Sequence, residues 1–308
     1  MSKKLLVVFG ATGNQGGSIA EVVLDSPELS KQYSVRAITR SSSNPKVHAL
    51  QAKGAEIVEA DLGNPSSLKA ALTGAHTVFA ITTTQYGQDT RQIETQQAKA
   101  LCEEAIAQKV EYIIWSSLSH PVKITDGKLS HIDFFDVKAE VEDYIRSLPI
   151  KSAFFAPGSF MQNFHDHMKP RPSPANDGTY VIGDLLYPDS VIPLIDITDT
   201  GKWVAAILAE PEKYEGKQFC AADRLYTMTE IAEIISQFTG TTVKYQNIPD
   251  DVFKGFLSKG YFEMHLLMRD YGYYGKNMKE NVQWAKDQAR GHLTTFEEWL
   301  KKEQYSLE

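Results

Sequence analysis

Cysteine is scarce in this chain: Cys102 and Cys220 are the only two among 308 residues. They lie far apart and match no metal-ligating or redox spacing. That leaves no disulfide framework or zinc cluster to organise the fold, and it suits a reducing compartment. Positive charge is also short. A formal net charge of −7 disfavours nucleic acid or an anionic membrane as a direct partner, since both need clustered Lys and Arg. No run of five or more like charges marks a tail. No apolar stretch is long enough to span a bilayer, and Met-Ser-Lys-Lys leads straight into an apolar run, so no signal peptide is expected. Internal repeats and low-complexity segments are missing. What is present is ordinary globular composition, 42% hydrophobic, enough for one large α/β domain with an appended lobe.

The informative stretch is the first. Lys4 to Phe9 is an unbroken apolar run after its lysine, as expected of a strand buried on both faces of a parallel sheet. It ends in Gly10-Ala11-Thr12-Gly13-Asn14-Gln15-Gly16 and a helical pattern follows at once. The spacing G-x-x-G-x-x-G is a variant of the dinucleotide-binding fingerprint. Its first glycine allows a tight turn, its second lets backbone approach a pyrophosphate, and its third lets helix and strand pack closely.

Strand patterns recur at Ser34–Thr39, Ala55–Ala60, Thr77–Thr82, Tyr112–Trp115 and Ser152–Phe155, with helical spacing between them. Six strands alternating with helices predict a Rossmann-type, doubly wound parallel sheet over residues 1–157. Residues 158–308 lose that alternation and are read as a smaller α/β C-terminal lobe interleaved with the first part. Short strands are expected at Thr179–Ile182, Ser190–Ile195 and Val243–Tyr245, and helices at Asp199–Ala209 and Met228–Phe238. Ligands of such sheets bind beyond the carboxyl ends of the strands. This groups Gly10–Gln15, Arg40, Asp61, Thr82–Thr84, Ser116–Ser119 and Phe160–Asn163 around one crevice.

Arg40 follows the second strand, where an NAD-specific site places an acid for the ribose 2′-hydroxyl. A guanidinium there suits a 2′-phosphate, so NADP(H) is expected over NAD(H), with Ser41, Ser42 and Ser43 adding donors. Asp61 has two readings, as acceptor for the adenine amino group or as N-cap of the next helix. Lys138 opens a helical stretch beside the fifth strand and could hold the nicotinamide ribose or move a proton. The short-chain dehydrogenase pattern puts a tyrosine four residues earlier as general acid, but that position is Phe134, which has no proton to give. Ser116, Ser117 and Ser119 compete for the carbonyl-polarising serine, while His120 and His131 are alternative acids. His165 and His167 lack a third ligand, so no metal is expected. The aromatic cluster Tyr261-Phe262, Tyr271 and Tyr273-Tyr274 reads as lobe core, pocket wall or partner surface.

Taken together, several segments resemble the NmrA-like family, atypical members of the short-chain dehydrogenase/reductase superfamily. They are Val8–Ser18, Thr39-Arg40, Gly54–Asp61, Phe134–Lys138, Phe160–Asn163, Pro193–Gly201 and Trp299-Leu300. The match runs nearly the length of the chain and is close to the redox-sensing branch. The resemblance implies NADP(H) contacts from Gly10, Ala11, Thr12, Gly13, Asn14, Gln15, Gly16, Arg40, Ser41, Asp61, Leu62, Thr82, Thr83, Thr84, Lys138, Phe160, Met161, Gln162 and Asn163. It further implies a redox or nicotinamide sensor that acts through a protein partner, including transcriptional regulation, in the cytoplasm and also the nucleus. The alternative it carries is an NADPH-dependent reductase of a quinone, carbonyl or enone, with Lys138 catalytic and Phe160, His165 and the aromatic tail lining the substrate space.

Overall fold

The computed structural model describes residues 2–308. Strand β1 (Lys4–Val8) sits in the middle of a seven-stranded sheet, which explains its unbroken apolar run: Leu6 and Val8 point into one core and Val7 into the other. Beside it run β2 (Tyr33–Thr39) and β3 (Glu56–Glu59) on one flank. The other flank holds β4 (Thr77–Ala80), β5 (Tyr112–Ser116) and β6 (Lys151–Pro157). With the lobe strand β11 (Gln218–Ala221), the order is β11-β6-β5-β4-β1-β2-β3. Every pairing in it is parallel. The order reverses between β1 and β4, so a crevice opens beyond the carboxyl ends of those two strands.

Helices cover both faces. Helix α1 (Asn14–Asp25) buries Ile19, Ala20 and Val23 on one face, followed by the short α2 (Leu29–Gln32) and α3 (Pro45–Ala52). Helices α4 (Leu68–Leu72), α5 (Thr90–Ala107) and α7 (Asp133–Arg146) cover the other, with the one-turn α6 (Pro121–Ile124) before α7. Burial of these stripes at roughly 25 cal/mol per Å² is the main force holding the layers.

The second half builds two three-stranded sheets. One joins β7 (Ser159–Phe160), β10 (Val191–Ile195) and β12 (Arg224–Thr227); the other joins β8 (Arg171–Pro172), β9 (Tyr180–Asp184) and β13 (Val243–Asn247). Two pieces of this half return to the main sheet. Helix α8 (Thr200–Ala209) packs on α1, where the Ser18 hydroxyl donates to Thr198 O at 2.5 Å and accepts from Gly201 N at 2.8 Å. A Cβ at Gly201 would lie 2.5 Å from Ser18 O, so only glycine permits this approach. Strand β11 (Gln218–Ala221) extends the sheet beyond β6. Sequence reading missed it, because four residues with one strong hydrophobe carry no periodicity and their partner is distant in the chain.

Helix α9 (Met228–Thr239) is closed by a Thr227/Glu230 capping box and ends at Gly240 in the left-handed conformation. It packs with α13 (Phe296–Lys302) around Phe164, Tyr226 and Trp299. Between them lie α10 (Asp250–Phe253), α11 (Lys259–Leu266) and α12 (Met278–Gln288). Among the described residues, no helix is long and apolar enough to cross a membrane.

Candidate functional site

The glycine turn has the geometry its spacing predicts. Gly10 takes φ +67°, and a Cβ at Gly16 would lie 2.4 Å from Gly10 O and 2.7 Å from Phe9 O. The helix therefore enters directly against the strand end. Gly13 precedes α1 with no side-chain cap and the first turn holds no acid, so no side chain of this helix covers its leading amides. Gly10, Gly13 and Asn14 are exposed and Thr12 and Gln15 half-buried, while Ala11 is buried with its N–H on Ile38 O. An open glycine turn with uncapped amides and no competing carboxylate fits a pyrophosphate. The Ser116 hydroxyl donates to Gln15 Oε1 at 2.8 Å, joining the end of β5 to this turn.

At the β2 end, Arg40 is exposed and no carboxylate among the described residues pairs with it. By contrast Arg36 is held by Glu56 and by two carbonyls. Donors of the following serines are committed within the protein: Ser41 N–H to Thr39 Oγ1 and Ser42 N–H to Glu59 Oε1 at 2.7 Å. The Ser42 hydroxyl and amide together hold the Glu59 carboxyl below its usual range. Asp61 is exposed and accepts from Gly63 N at 2.8 Å, and Leu62 is half-buried against the second core. Asp61 caps its own turn; it does not cap α4, which starts at Leu68.

The opposite end of the crevice is closed on itself. Lys138 is only 8% exposed, and its amine donates to Thr82 O (2.9 Å), Thr82 Oγ1 (3.1 Å) and Glu94 Oε2 (2.5 Å). Glu94 has no exposed surface and also accepts from the hydroxyls of Thr82 and Thr90. Burial pulls the lysine below its ordinary range, opposed by the adjacent carboxylate. Thr83 is exposed and Thr84 half-buried in the loop that follows.

Phe134, one turn before Lys138, is covered by Tyr261 of α11 with ring centres 5.1 Å apart, and Tyr86 stacks on Tyr261 in turn. The approach is built in, since a Cβ at Gly260 would lie 2.4 Å from His131 O. His131 is tied to Glu263 through Nδ1 and its amide, both at 2.8 Å. His120 donates or accepts at Asp136, which is fully buried. Ser117 is buried against Lys138 O, and Ser119 Oγ is buried without a partner.

A cavity of about 240 Å³ opens beside Ser119 and His120, walled by Glu142, Asp143, Cys220 and Tyr274; Phe134 and Lys138 do not line it. Burial pushes the Cys220 thiol up to about 12, which removes it as a nucleophile.

The segment after β6 divides its side chains. Phe160 packs on the main-sheet core, whereas Met161 is fully buried in the lobe core. Gln162 is bound to Asp196 Oδ1 and Ile197 N, and Asn163 is half-buried with its carbonyl accepting from Asp166 and Met168. The substrate wall expected from Phe160, His165 and the aromatic tail is not one surface. His165 instead packs on Trp299 and Tyr305 at the lobe core, because its ring fills the edge of that aromatic layer. Tyr273 and Tyr274 are buried, their hydroxyls on Pro157 O and Ala156 O.

Glu94 was not singled out in the sequence, although a signal exists. It stands in register with Ala98, Leu101, Cys102 and Ala105, the buried stripe of α5, where a carboxylate needs a partner.

Comparison with known proteins agrees with this fold. An NmrA-like family domain-containing protein of Dictyostelium discoideum is 32% identical, with 100% of each chain covered. The NmrA-like family domain-containing oxidoreductase FrzB of Cladobotryum sp is 28% identical over 79% of this chain and 76% of its own. Among solved structures, NmrA, a negative transcriptional regulator in complex with NADP, superposes with a TM-score of 0.76 at 22% identity, covering 98% of this chain and 95% of that one. The same regulator in complex with NAD gives 0.75 at 22%, covering 100% and 99%. The model of the NmrA-like family matches residues 2–300, and with the glycine turn, the sheet order and the lobe in place, this chain belongs to that family.

Proposed function

We propose that this protein binds a nicotinamide dinucleotide, NADP(H) before NAD(H), and serves as a regulatory sensor that signals through a protein partner. The observation that carries this reading is the chemistry end of the crevice. The acid position is Phe134, its ring lies under Tyr261, and the Lys138 amine is committed to Thr82 and Glu94. The tyrosine and the free lysine of the short-chain dehydrogenase pattern are absent or spent, while the phosphate-binding turn is open. Binding would rearrange the 40–45 and 82–88 loops, and the altered surface would bias partner choice. The description of the NmrA neighbour as a negative transcriptional regulator supports the same direction.

The second reading is an NADPH-dependent reductase, for which the bound nicotinamide would supply the hydride. It is favoured by the Tyr261 phenol, which lies over Phe134 beside Tyr86, and by the oxidoreductase naming of relatives such as FrzB. Calorimetric titration of NADP⁺, NADPH, NAD⁺ and NADH, with Arg40→Ala alongside and NADPH oxidation followed against a quinone panel, separates the two. Tight NADP(H) binding that weakens in Arg40→Ala, with no turnover, is the expected result. Turnover that falls in Lys138→Ala or Tyr261→Phe overturns the sensor and leaves the reductase.

A further inference from the structure

The loop after β2 already holds an anion, and that anion belongs to the protein. Glu59, the last residue of β3, stands beside Thr39 in the parallel register and reaches across to the Ser42 amide at 2.7 Å. This amide and the Ser42 hydroxyl are donors a 2′-phosphate would use next to Arg40. Ser41 and Ser43 close on each other, Oγ to Oγ at 2.8 Å, so the loop is preorganised around the carboxylate. Arg40 is exposed and, among the described residues, pairs with no carboxylate, which leaves one cation and one anion at the same strand ends.

We propose that Glu59 is an intramolecular competitor for the nucleotide 2′ position and sets the balance between NADP(H) and NAD(H). This rests on the dinucleotide reading given above. A 2′-phosphate gains from Arg40 but must displace the Glu59 carboxylate from Ser42 or bind beside a like charge. A 2′-hydroxyl faces neither cost, and it can donate to Glu59 as it does to the acid of an NAD-specific site. Arg40 and Glu59 therefore pull in opposite directions, and the native chain should accept both nucleotides with a modest preference.

The test is calorimetric titration of NADP⁺ and NAD⁺ into the native chain, Glu59→Gln and Arg40→Ala, with Glu56→Gln as a same-strand control. Glu59→Gln keeps the side-chain shape and removes the charge. It should tighten NADP⁺ binding by roughly twofold to fivefold, the scale of one solvent-exposed charge contact. NAD⁺ binding should stay level or weaken, so the NADP⁺/NAD⁺ ratio rises in Glu59→Gln, falls in Arg40→Ala and stays at the native value in Glu56→Gln. An unchanged ratio in Glu59→Gln, with the native chain binding normally, overturns the role of Glu59 and leaves the dinucleotide reading intact. Failure of the native chain to bind either nucleotide overturns that reading and this inference with it.

Discussion

The two ends of the crevice are built on opposite plans. At the β1–α1 turn, the helix has no side-chain cap and no acid in its first turn competes for its amides. At the β4–α5–α7 end, the lysine is satisfied by glutamate, the glutamate by two threonines, and the aromatic face by an aromatic from the lobe. An unsatisfied donor at a surface turn costs little because water serves it. A lysine 8% exposed has no such recourse and must carry its counter-charge inside. The contrast teaches that one crevice can leave donors bare where water reaches them and must pair its charges where water does not.

Breaking the closed end should have the largest effect. Glu94→Leu leaves the Lys138 ammonium buried without its partner, a loss of about 3–5 kcal/mol in urea unfolding. Lys138→Met should cost a similar amount by orphaning Glu94. The double variant Glu94→Leu/Lys138→Met should recover most of the stability, since an apolar pair of similar volume replaces a buried ion pair at little net cost. Dinucleotide binding by the folded double variant should be unchanged if the lysine serves the fold. Loss of binding in that variant would show that the amine leaves Glu94 for the ligand.

The open end should respond less in stability and more in binding. Gly16→Ala drives a methyl to within 2.4 Å of Gly10 O, so α1 must shift from β1. The expected cost is about 1–3 kcal/mol, the range of overpacked sites. Titration should show weakened binding of NADP⁺ and NAD⁺ alike, because both share the pyrophosphate. A variant that binds as well as the native chain would remove the turn from the site.

The smallest effect concerns the clasp behind the crevice rim. Burial raises the Asp196 carboxyl, but hydrogen bonds from Lys302, Thr198 and Gln162 outweigh it and leave the group below its usual 3.8. A carboxyl depressed in the folded state stabilises above the unfolded value, and that contribution is lost as pH falls through the folded one. Unfolding followed from pH 7 down to pH 2 should therefore show an acid-side decline. In Asp196→Asn the decline should be shallower, at lower stability near neutrality. An identical slope in both chains would place the acid sensitivity elsewhere.

Much of the molecule was legible because its signals are local. The run Leu5 to Phe9 announces a doubly buried strand, three spaced glycines announce a turn only glycine can make, and the alternation that follows forces a parallel sheet. Arg40 and the missing tyrosine at Phe134 were readable for the same reason: each is defined by its distance along the chain from a recognisable element. Tertiary structure alone decided the pairing of Lys138 with Glu94, the reach of Glu59 to Ser42, the cover of Tyr261 over Phe134 and the return of α8 and β11 to the main sheet. Each of these joins residues from different elements, and their energy depends on burial and distance that the sequence does not encode locally. The chain's periodicity determines which surfaces must be buried. Only the packed fold determines which charge each buried charge meets.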